Sequence, residues 1–402
     1  MPSARSSLPP LVDVGPPLTP DEVRRYSRHV LLPQIGDEGQ RRLRNARVCV
    51  VGAGGLGTPV LLYLAAAGVG HLGIVDDDDV DVTNLQRQVI HGWADVGRQK
   101  VASARDSIHA IDRSLDVVVH PDRLTAANVD EVLAGYDLVI DGTDNFPTRY
   151  LVNDACVRLG VPLVWGSVFQ FDAQVSVFWG RPPAGSGVSA VQLRDLFPAP
   201  PPAGSVPSCA EGGVLGALCG QVGSVMATEA VKLITGAGAP LLGVVLVVDG
   251  LAGRWTEVPL VGDRSRSTAA PAEGDRRTDD GVGAGLSRGV AVVTVTAHEL
   301  AQRLALRAAG SDDFTLVDVR EPGERAIVAI PGSEAVPLGG VVDGSGLAGI
   351  SRERPVVLYC RSGVRSEQAA RVLLAAGYPE VSHLAGGVLS WIDQVSPGLV
   401  RY

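Results

Sequence analysis

The run Gly52-Ala53-Gly54-Gly55-Leu56-Gly57 constrains the fold of this chain more than any other feature. It follows Arg47–Val51, an apolar run that reads as a buried strand, and leads into Leu56–Ala67, which reads as a helix. Glycines at such a junction let the backbone approach a phosphate at a helix N-terminus. Asp76 ends the next strand, Leu72–Val75, where a carboxylate can bind a ribose hydroxyl. A helix over Lys100–Ile111 and strands at Asp116–Val119 and Asp137–Ile140 continue the alternation. The expectation is an α/β fold, a Rossmann-like parallel sheet with right-handed crossovers. Taken alone, this is a dinucleotide fingerprint, with NAD or FAD as the default ligand.

With 402 residues the chain is too long for one typical core, and its composition shifts mark the divisions. Residues 1–20 are Ser/Pro-rich and read as a disordered leader. A helix-like segment runs from Asp21 to Arg47, and the first domain spans 21–260. Its later part holds β-rich runs at Val161–Trp165 and Gln174–Trp179, a proline-rich loop, a long apolar helix at about Val214–Thr235 and a strand at Val244–Asp249. Residues 261–290 lack aliphatic clusters and read as a flexible linker. From 291 to 402 the alternation restarts as a small α/β domain. Its strands are expected near Thr315–Val319 and Val356–Tyr359, and its helices at Ala297–Ala309 and Ser366–Ala376.

A net charge of −9 argues against a protein that neutralises nucleic-acid phosphates over a broad surface. No apolar run approaches the roughly 20 residues that span a bilayer, and no signal peptide is evident, so neither membrane nor export is expected. The cysteines (Cys49, Cys156, Cys209, Cys219 and Cys360) are odd in number and widely spaced, which fits neither a disulfide framework nor a metal clamp. A cytoplasmic location follows as the expectation.

Beyond the glycine turn, the residues suit a triphosphate better than a hydride carrier. Asn84-Leu85-Gln86-Arg87-Gln88 follows the second strand, Lys100 lies further on, and Asp141-Gly142-Thr143-Asp144-Asn145 ends the strand Asp137–Ile140. A triphosphate needs cations to offset charge on its leaving phosphates and a carboxylate to hold Mg²⁺. Arg87 and Lys100 are the candidate cations and Asp144 the candidate ligand; a solvated surface charge is the alternative for Arg87. Of 35 basic residues only Lys100 and Lys232 are lysines, so Lys100 invites a specific role, a compact point charge where a planar fork does not fit.

GAGGLG, the Asp76–Asp78 strand end, NLQRQ, VGRQK and DGTDN together resemble the MoeB/ThiF adenylyltransferases, relatives of the ubiquitin-activating enzymes, over about residues 21–260. The resemblance implies that ATP activates the C-terminal glycine carboxylate of a small ubiquitin-like sulfur carrier as an acyl-adenylate. It implies that Gly55, with Gly52, Gly54 and Gly57, approaches the phosphates, that Asp76 binds ribose, that Asn84, Arg87 and Lys100 contact the triphosphate, and that Asp78, Thr83, Leu85 and Gln86 also bind the cofactor. Asp144, beside Asn145, would hold Mg²⁺. Arg28 matches an arginine donated across a homodimer to the partner's ATP, or is an ordinary helix-surface arginine. Many members carry two CxxC pairs that bind zinc; here the first would fall at Ala190–Leu193 and the second beyond Trp255, neither is present, and packing must replace the metal.

Two thiols carry the remaining chemistry. Cys209 lies between the proline-rich loop and the long helix, where a thiolate is favoured; the family resemblance makes it the cysteine that takes the activated acyl group or a sulfur donor. Cys49, Cys156 and Cys219 read as packing residues. Cys360 opens Cys360-Arg361-Ser362-Gly363-Val364-Arg365 between a strand and a helix, a loop whose N–H groups suit a thiolate or persulfide. With Val317–Glu321, Ile330–Ser333 and Gly386-Gly387-Val388, it resembles the rhodanese sulfurtransferases over about 290–402, with Ala329 in place of a common His and Asp318 and Arg320 expected to be structural. The combined expectation is adenylation of a carrier ending in Gly-Gly, then sulfur transfer from a Cys360 persulfide loaded by a cysteine desulfurase or thiosulfate, giving a thiocarboxylate for molybdenum-cofactor or related pathways. The linker would let the second domain reach the adenylate. The rival expectations are an NAD-dependent oxidoreductase fused to a rhodanese, and a non-catalytic scaffold that docks a carrier.

Overall fold

A computed structural model describes residues 7–200, 212–263 and 292–401, which fall into two compact units. Cys209 and most of the expected linker lie outside the described residues.

In the first unit an eight-stranded sheet runs in the order β3-β2-β1-β4-β5-β6-β7-β8. Its strands are β1 (Arg47–Val51), β2 (His71–Val75), β3 (Asp116–His120), β4 (Leu138–Asp141), β5 (Leu163–Phe169), β6 (Asp172–Phe178), β7 (Val244–Asp249) and β8 (Arg254–Pro259). The first five are parallel and the rest antiparallel. The helices are α1 (Pro20–Arg25), α2 (Ser27–Val30), α3 (Gly36–Asn45), α4 (Gly57–Ala67), α5 (Lys100–Ile111), α6 (Val129–Leu133), α7 (Phe146–Leu159), α8 (Leu193–Leu196) and α9 (Gly216–Thr235). Alternation along β1 explains why the sheet is covered on both faces: Val48 and Val50 enter one core with residues of α4, α5 and α9, while Cys49 and Val51 enter another with residues of α6 and α7. The chain steps outward from β1 through β2 to β3, then returns to β4. That reversal opens a crevice at the carboxyl ends of β1 and β4, the usual ligand position in such sheets.

Three expectations about this unit change. Residues 7–19, read as disordered, pack onto α3 and α9: Val12 is buried and the Leu11 N–H donates to the Leu233 carbonyl at 2.9 Å. Proline removes N–H donors, and the carbonyls left over accept from Arg41, Arg42, Arg44 and Asn45 of α3. The helix-like stretch 21–47 is three helices, broken at Tyr26 and again before Gly36, which adopts a positive φ of 61°. β8 is an addition: every residue of it is exposed, so it has no core alternation to betray it.

The second unit is a five-stranded parallel sheet, β11-β10-β12-β13-β9. Its strands are β9 (Val293–Val295), β10 (Thr315–Asp318), β11 (Glu334–Ala335), β12 (Val356–Tyr359) and β13 (Val381–Leu384). Its helices are α10 (Ala297–Ala308), α11 (Pro322–Ile327), α12 (Leu338–Val342), α13 (Val364–Ala375) and α14 (Gly387–Gln394). Central β12 divides its side chains between two cores, Val356 and Leu358 facing one and Val357 and Tyr359 the other.

No helix among the described residues is long and apolar enough to cross a membrane.

Candidate functional site

The crevice between β1 and β4 is a cavity of about 450 Å³. Its floor is the glycine turn, and two glycines there are sterically required. Gly52 has φ +93°, and a Cβ on Gly57 would lie 1.7 Å from the Gly52 carbonyl oxygen. The turn is sewn to its neighbours by Gly52 N–H to Val75 O (2.8 Å) and Gly142 N–H to Val51 O (2.9 Å).

Gly52, Gly54, Gly55, Asp76, Asp78, Asn84, Arg87, Lys100, Asp144 and Asn145 line this cavity. Asp76 is almost buried and accepts from Ala53 N–H (2.8 Å) and Asp78 N–H (3.0 Å). Burial raises its pKa, and the Lys100 ammonium opposes that rise. Lys100 starts α5, places Nζ 2.6 Å from Asp78 Oδ2 and 3.8 Å from Asp76 Oδ1, and keeps a third donor position on its ammonium. Arg87 is held by Nη1 donating to the Thr83 carbonyl at 3.0 Å. Asn145 caps α7, accepting from Thr148 N–H at 3.0 Å. Asp144 is exposed beside it, while Asp141 is buried and its Oδ1 accepts from the Thr143 N–H and hydroxyl.

Thr83, Leu85, Gln86 and Gly57 do not line the cavity. Thr83 bonds Asp81 instead, and Gln86 presents its carbonyl to the start of α9, where a Cβ on Gly216 would lie 2.2 Å from it. Arg28, on α2, is exposed and likewise outside this cavity. Gln88, Asp122, Arg123, Leu124, Thr148, Arg149, Val168, Val214 and Cys219 also line it, and the reading of the sequence passed over them as site residues. Asp122–Leu124 follow β3 at the same sheet edge as the glycine turn, and Arg149 lies one helical turn past Asn145, so topology could have found these. Val168, Val214 and Cys219 carry no local signal. Cys219 is a packing residue as expected, yet its sulfur would lie 3.1 Å from a Cβ on Gly55, which puts it under the turn.

Lys232 is structural: its ammonium pairs with buried Glu229 and donates to the Ala239 carbonyl at 3.0 Å, while Glu229 accepts from Leu241 N–H at 2.7 Å. Together they clamp the chain leaving α9. At the first of the two positions where zinc-binding members carry cysteines, Val191 and Leu193 are buried, and Asp263 N–H donates to Asp195 Oδ1 at 3.1 Å. Among the described residues no three His, Cys, Asp or Glu side chains cluster as metal ligands.

The second unit repeats the strand–turn–helix plan around sulfur. Cys360 follows β12 and is 1% exposed, and Gly363, at φ +102°, donates its N–H to Sγ at 3.1 Å. The carbonyls of Cys360 and Arg361 are tied down by Val388 N–H (2.8 Å) and Leu389 N–H (3.1 Å) of α14. Ser366 donates to the Gly363 carbonyl at 3.0 Å. The helix begins at Val364, earlier than expected. Val364 and Arg365 therefore belong to its first turn, where N–H groups have no intrahelical acceptor. The Arg365 guanidinium is buried in a bidentate pair with Glu324 at 2.8 and 2.7 Å. Arg361 is partly buried and Ser362 exposed. Asp318 and Arg320 form a fully buried pair (2.7 Å) beneath the sheet edge. Burial pushes the thiols of Cys49 and Cys156 up, as inert packing cysteines require.

A model of the ThiF family matches residues 26–269, and a model of the rhodanese-like domain matches residues 296–394. The chain belongs to the ThiF family. Its second unit is a rhodanese-like domain. Over 397 residues it is 49% identical to a probable adenylyltransferase/sulfurtransferase MoeZ of Mycobacterium tuberculosis, covering 99% of this chain and 100% of that protein. A sulfur carrier protein adenylyltransferase of Thermus thermophilus is 50% identical over 260 residues, 65% of this chain and 94% of the relative. The adenylyltransferase and sulfurtransferase MOCS3-2 of Zea mays is 37% identical over 402 residues, 96% of this chain and 82% of the relative. Among solved structures, the microcin C7 biosynthetic enzyme MccB with N-formylated MccA superposes with a TM-score of 0.53 at 19% identity, covering 61% of this chain and 75% of that one, a likeness of fold alone.

Proposed function

We propose that this ThiF-family protein adenylates the C-terminal glycine of a small ubiquitin-like sulfur carrier and then delivers sulfur to it. The observation that carries the reading is one chain holding two turns of this kind: a cavity lined by Lys100, Arg87 and Asp144 over a glycine turn, and a cysteine buried on a second turn. Relatives named adenylyltransferase and sulfurtransferase support both halves, and one named for a sulfur carrier supports the substrate class.

ATP would lie along the cavity with phosphates on the Gly52–Gly57 turn and ribose toward Asp76. A carrier carboxylate oxygen attacks the α-phosphorus and pyrophosphate leaves. Lys100 and Arg87 offset the charge that develops as pyrophosphate leaves. Asp144 fits Mg²⁺ as an exposed carboxylate at the phosphate end, because that ion keeps waters and takes few protein ligands; it would neutralise phosphate charge there. The terminal sulfur of a Cys360 persulfide attacks the acyl carbon and AMP leaves. A second thiol then attacks the Cys360 sulfur, releasing the thiocarboxylate and leaving a disulfide for a cellular thiol to reduce; Cys209 is the candidate. The donor is a cysteine desulfurase or thiosulfate, the assembly a homodimer with Arg28 reaching the partner's nucleotide, and the location cytoplasmic.

The test is Cys360→Ala in the full chain with a carrier ending in Gly-Gly. Carrier-dependent ATP–pyrophosphate exchange is expected to persist while thiocarboxylate, read by mass spectrometry, is lost. Thiocarboxylate formation at the native rate would overturn the assignment of Cys360.

A further inference from the structure

Behind the glycine turn lies a residue outside every motif considered above. His91 follows the Asn84–Gln88 segment, and its imidazole is 6% exposed. Nε2 lies 3.1 Å from the Ala53 carbonyl oxygen and Nδ1 lies 2.8 Å from the Ser103 hydroxyl. A carbonyl can only accept, so Nε2 carries the proton, while Nδ1 faces the Ser103 hydroxyl, which also reaches the Asp95 carboxylate. Burial lowers the pKa of His91, which favours the neutral ring.

The consequence reaches the cavity through one peptide unit. The Ala53 carbonyl and the Gly54 N–H belong to the same planar trans amide, so they point in opposite directions. His91 draws the carbonyl toward the protein interior, which turns the Gly54 N–H toward the cavity that Gly54 lines. No acceptor for that N–H is found among the described residues. The preceding amide is fixed as well, since Ala53 N–H donates to Asp76 Oδ2 at 2.8 Å. Ser103 belongs to α5, the helix that Lys100 begins, so one ring joins the phosphate turn to the helix bearing the ammonium.

We propose that His91 is a positioning residue for the nucleotide: it locks the Ala53–Gly54 peptide so that the Gly54 N–H meets a phosphate oxygen. The inference rests on the reading of this cavity as the ATP site. Without the His91 bond the peptide is free to rotate, and a carbonyl oxygen can face the phosphates, replacing an attraction with a repulsion.

Two substitutions separate positioning from mere filling. His91→Gln keeps a donor near the Nε2 position, whereas His91→Asn keeps only a group near Nδ1. With MgATP titrated calorimetrically into the full chain, His91→Gln is expected to bind within about threefold of the native protein. His91→Asn is expected to bind about tenfold more weakly, the worth of one phosphate hydrogen bond. In the native chain and His91→Gln, the ¹⁵N–¹H resonance of Gly54 should move downfield on MgATP binding; in His91→Asn it should not. Equal affinities for the Gln and Asn variants, or a Gly54 resonance that still moves downfield with MgATP in His91→Asn, would overturn the proposal. Lys100→Ala distinguishes the levels: if it weakens MgATP binding while His91→Asn does not, only the role of His91 falls. If Lys100→Ala has no effect, the reading of the cavity falls and takes the proposal with it. The thermal transition of the first unit, which holds His91 and Lys100, reports that each variant is folded.

Discussion

The two units place a glycine turn between a parallel strand and a helix, yet the turns serve their ligands in opposite ways. After β1 the turn opens onto a cavity lined by Lys100, Arg87 and the carboxylates of Asp76, Asp78 and Asp144. After β12 the turn closes on a single sulfur that is 1% exposed and receives one backbone N–H at 3.1 Å. A triphosphate spreads several charges over many oxygens, so its site needs distributed cations and room for a metal. A sulfur atom is small and singly charged at most, so backbone dipoles suffice and charged side chains can be used as structure. The Arg365–Glu324 pair is buried and ties the helix after the loop to α11, while the buried Arg320–Asp318 pair holds the segment after β10 through the Val328 carbonyl.

This contrast can be broken most sharply at the cations. Lys100→Ala is expected to lower carrier-dependent ATP–pyrophosphate exchange about 10²–10³-fold, in the range seen when one charge-stabilising donor is lost. Lys100→Arg should restore only part of it, because a planar fork does not replace a compact ammonium wedged between Asp76 and Asp78. Full exchange activity in Lys100→Ala would erase the distinction between the two turns.

A smaller effect, seen in stability, is expected in the second unit. Glu324→Ala leaves the Arg365 guanidinium buried without its carboxylate and should destabilise that unit by about 3–5 kcal/mol. Differential scanning calorimetry should show the rhodanese-like transition falling while pyrophosphate exchange at room temperature is retained. A loss of exchange with no change in that transition would mean Glu324 is not the structural anchor the geometry makes it.

The smallest effect concerns protons. Burial holds His91 and His120 of the first unit and His383 of the second below the ordinary imidazole value. Unfolded imidazoles take up protons as pH falls through about 6.5, before these folded ones do. The unfolded state then binds more protons, so the stability these groups confer is present above pH 6.5 and is lost below it. Between pH 7.5 and 5.5 both thermal transitions should fall by a few degrees, with the larger shift in the first unit, which has two such groups. A larger shift in the second unit would reverse that ordering.

How far the sequence carried these conclusions depends on the kind of signal. β1, α5, β7 and β12 begin and end where their patterns place them, because the strands are short apolar runs and α5 repeats Val101, Ala104 and Ile108 at helical spacing. The glycine turn and Asp76 were legible because steric demand at Gly52 and Gly57 leaves few residue types possible. β8 was not, since an exposed edge strand owes its place to β7 and not to burial. Residues 7–19 depart from the expected disorder for a related reason: their prolines suppress regular structure, while α3 supplies the arginines that satisfy their carbonyls.

What the sequence determined by itself was the pair of α/β units, the two turns and the identity of the charged and sulfur-bearing groups at them. Local rules of backbone freedom and apolar alternation act within a few residues, so they can be read along the chain. Only the tertiary structure decided which distant side chains share a cavity. Asp122, Arg149 and Cys219 come to one place because separate strands and helices end at one sheet edge. It also gave the other rare lysine its place: Lys100 lines the cavity over the glycine turn, whereas Lys232 closes on Glu229 at the end of α9. His91 belongs to the same class, since its partners at Ala53 and Ser103 lie far from it in sequence and its role exists only once the fold brings them together.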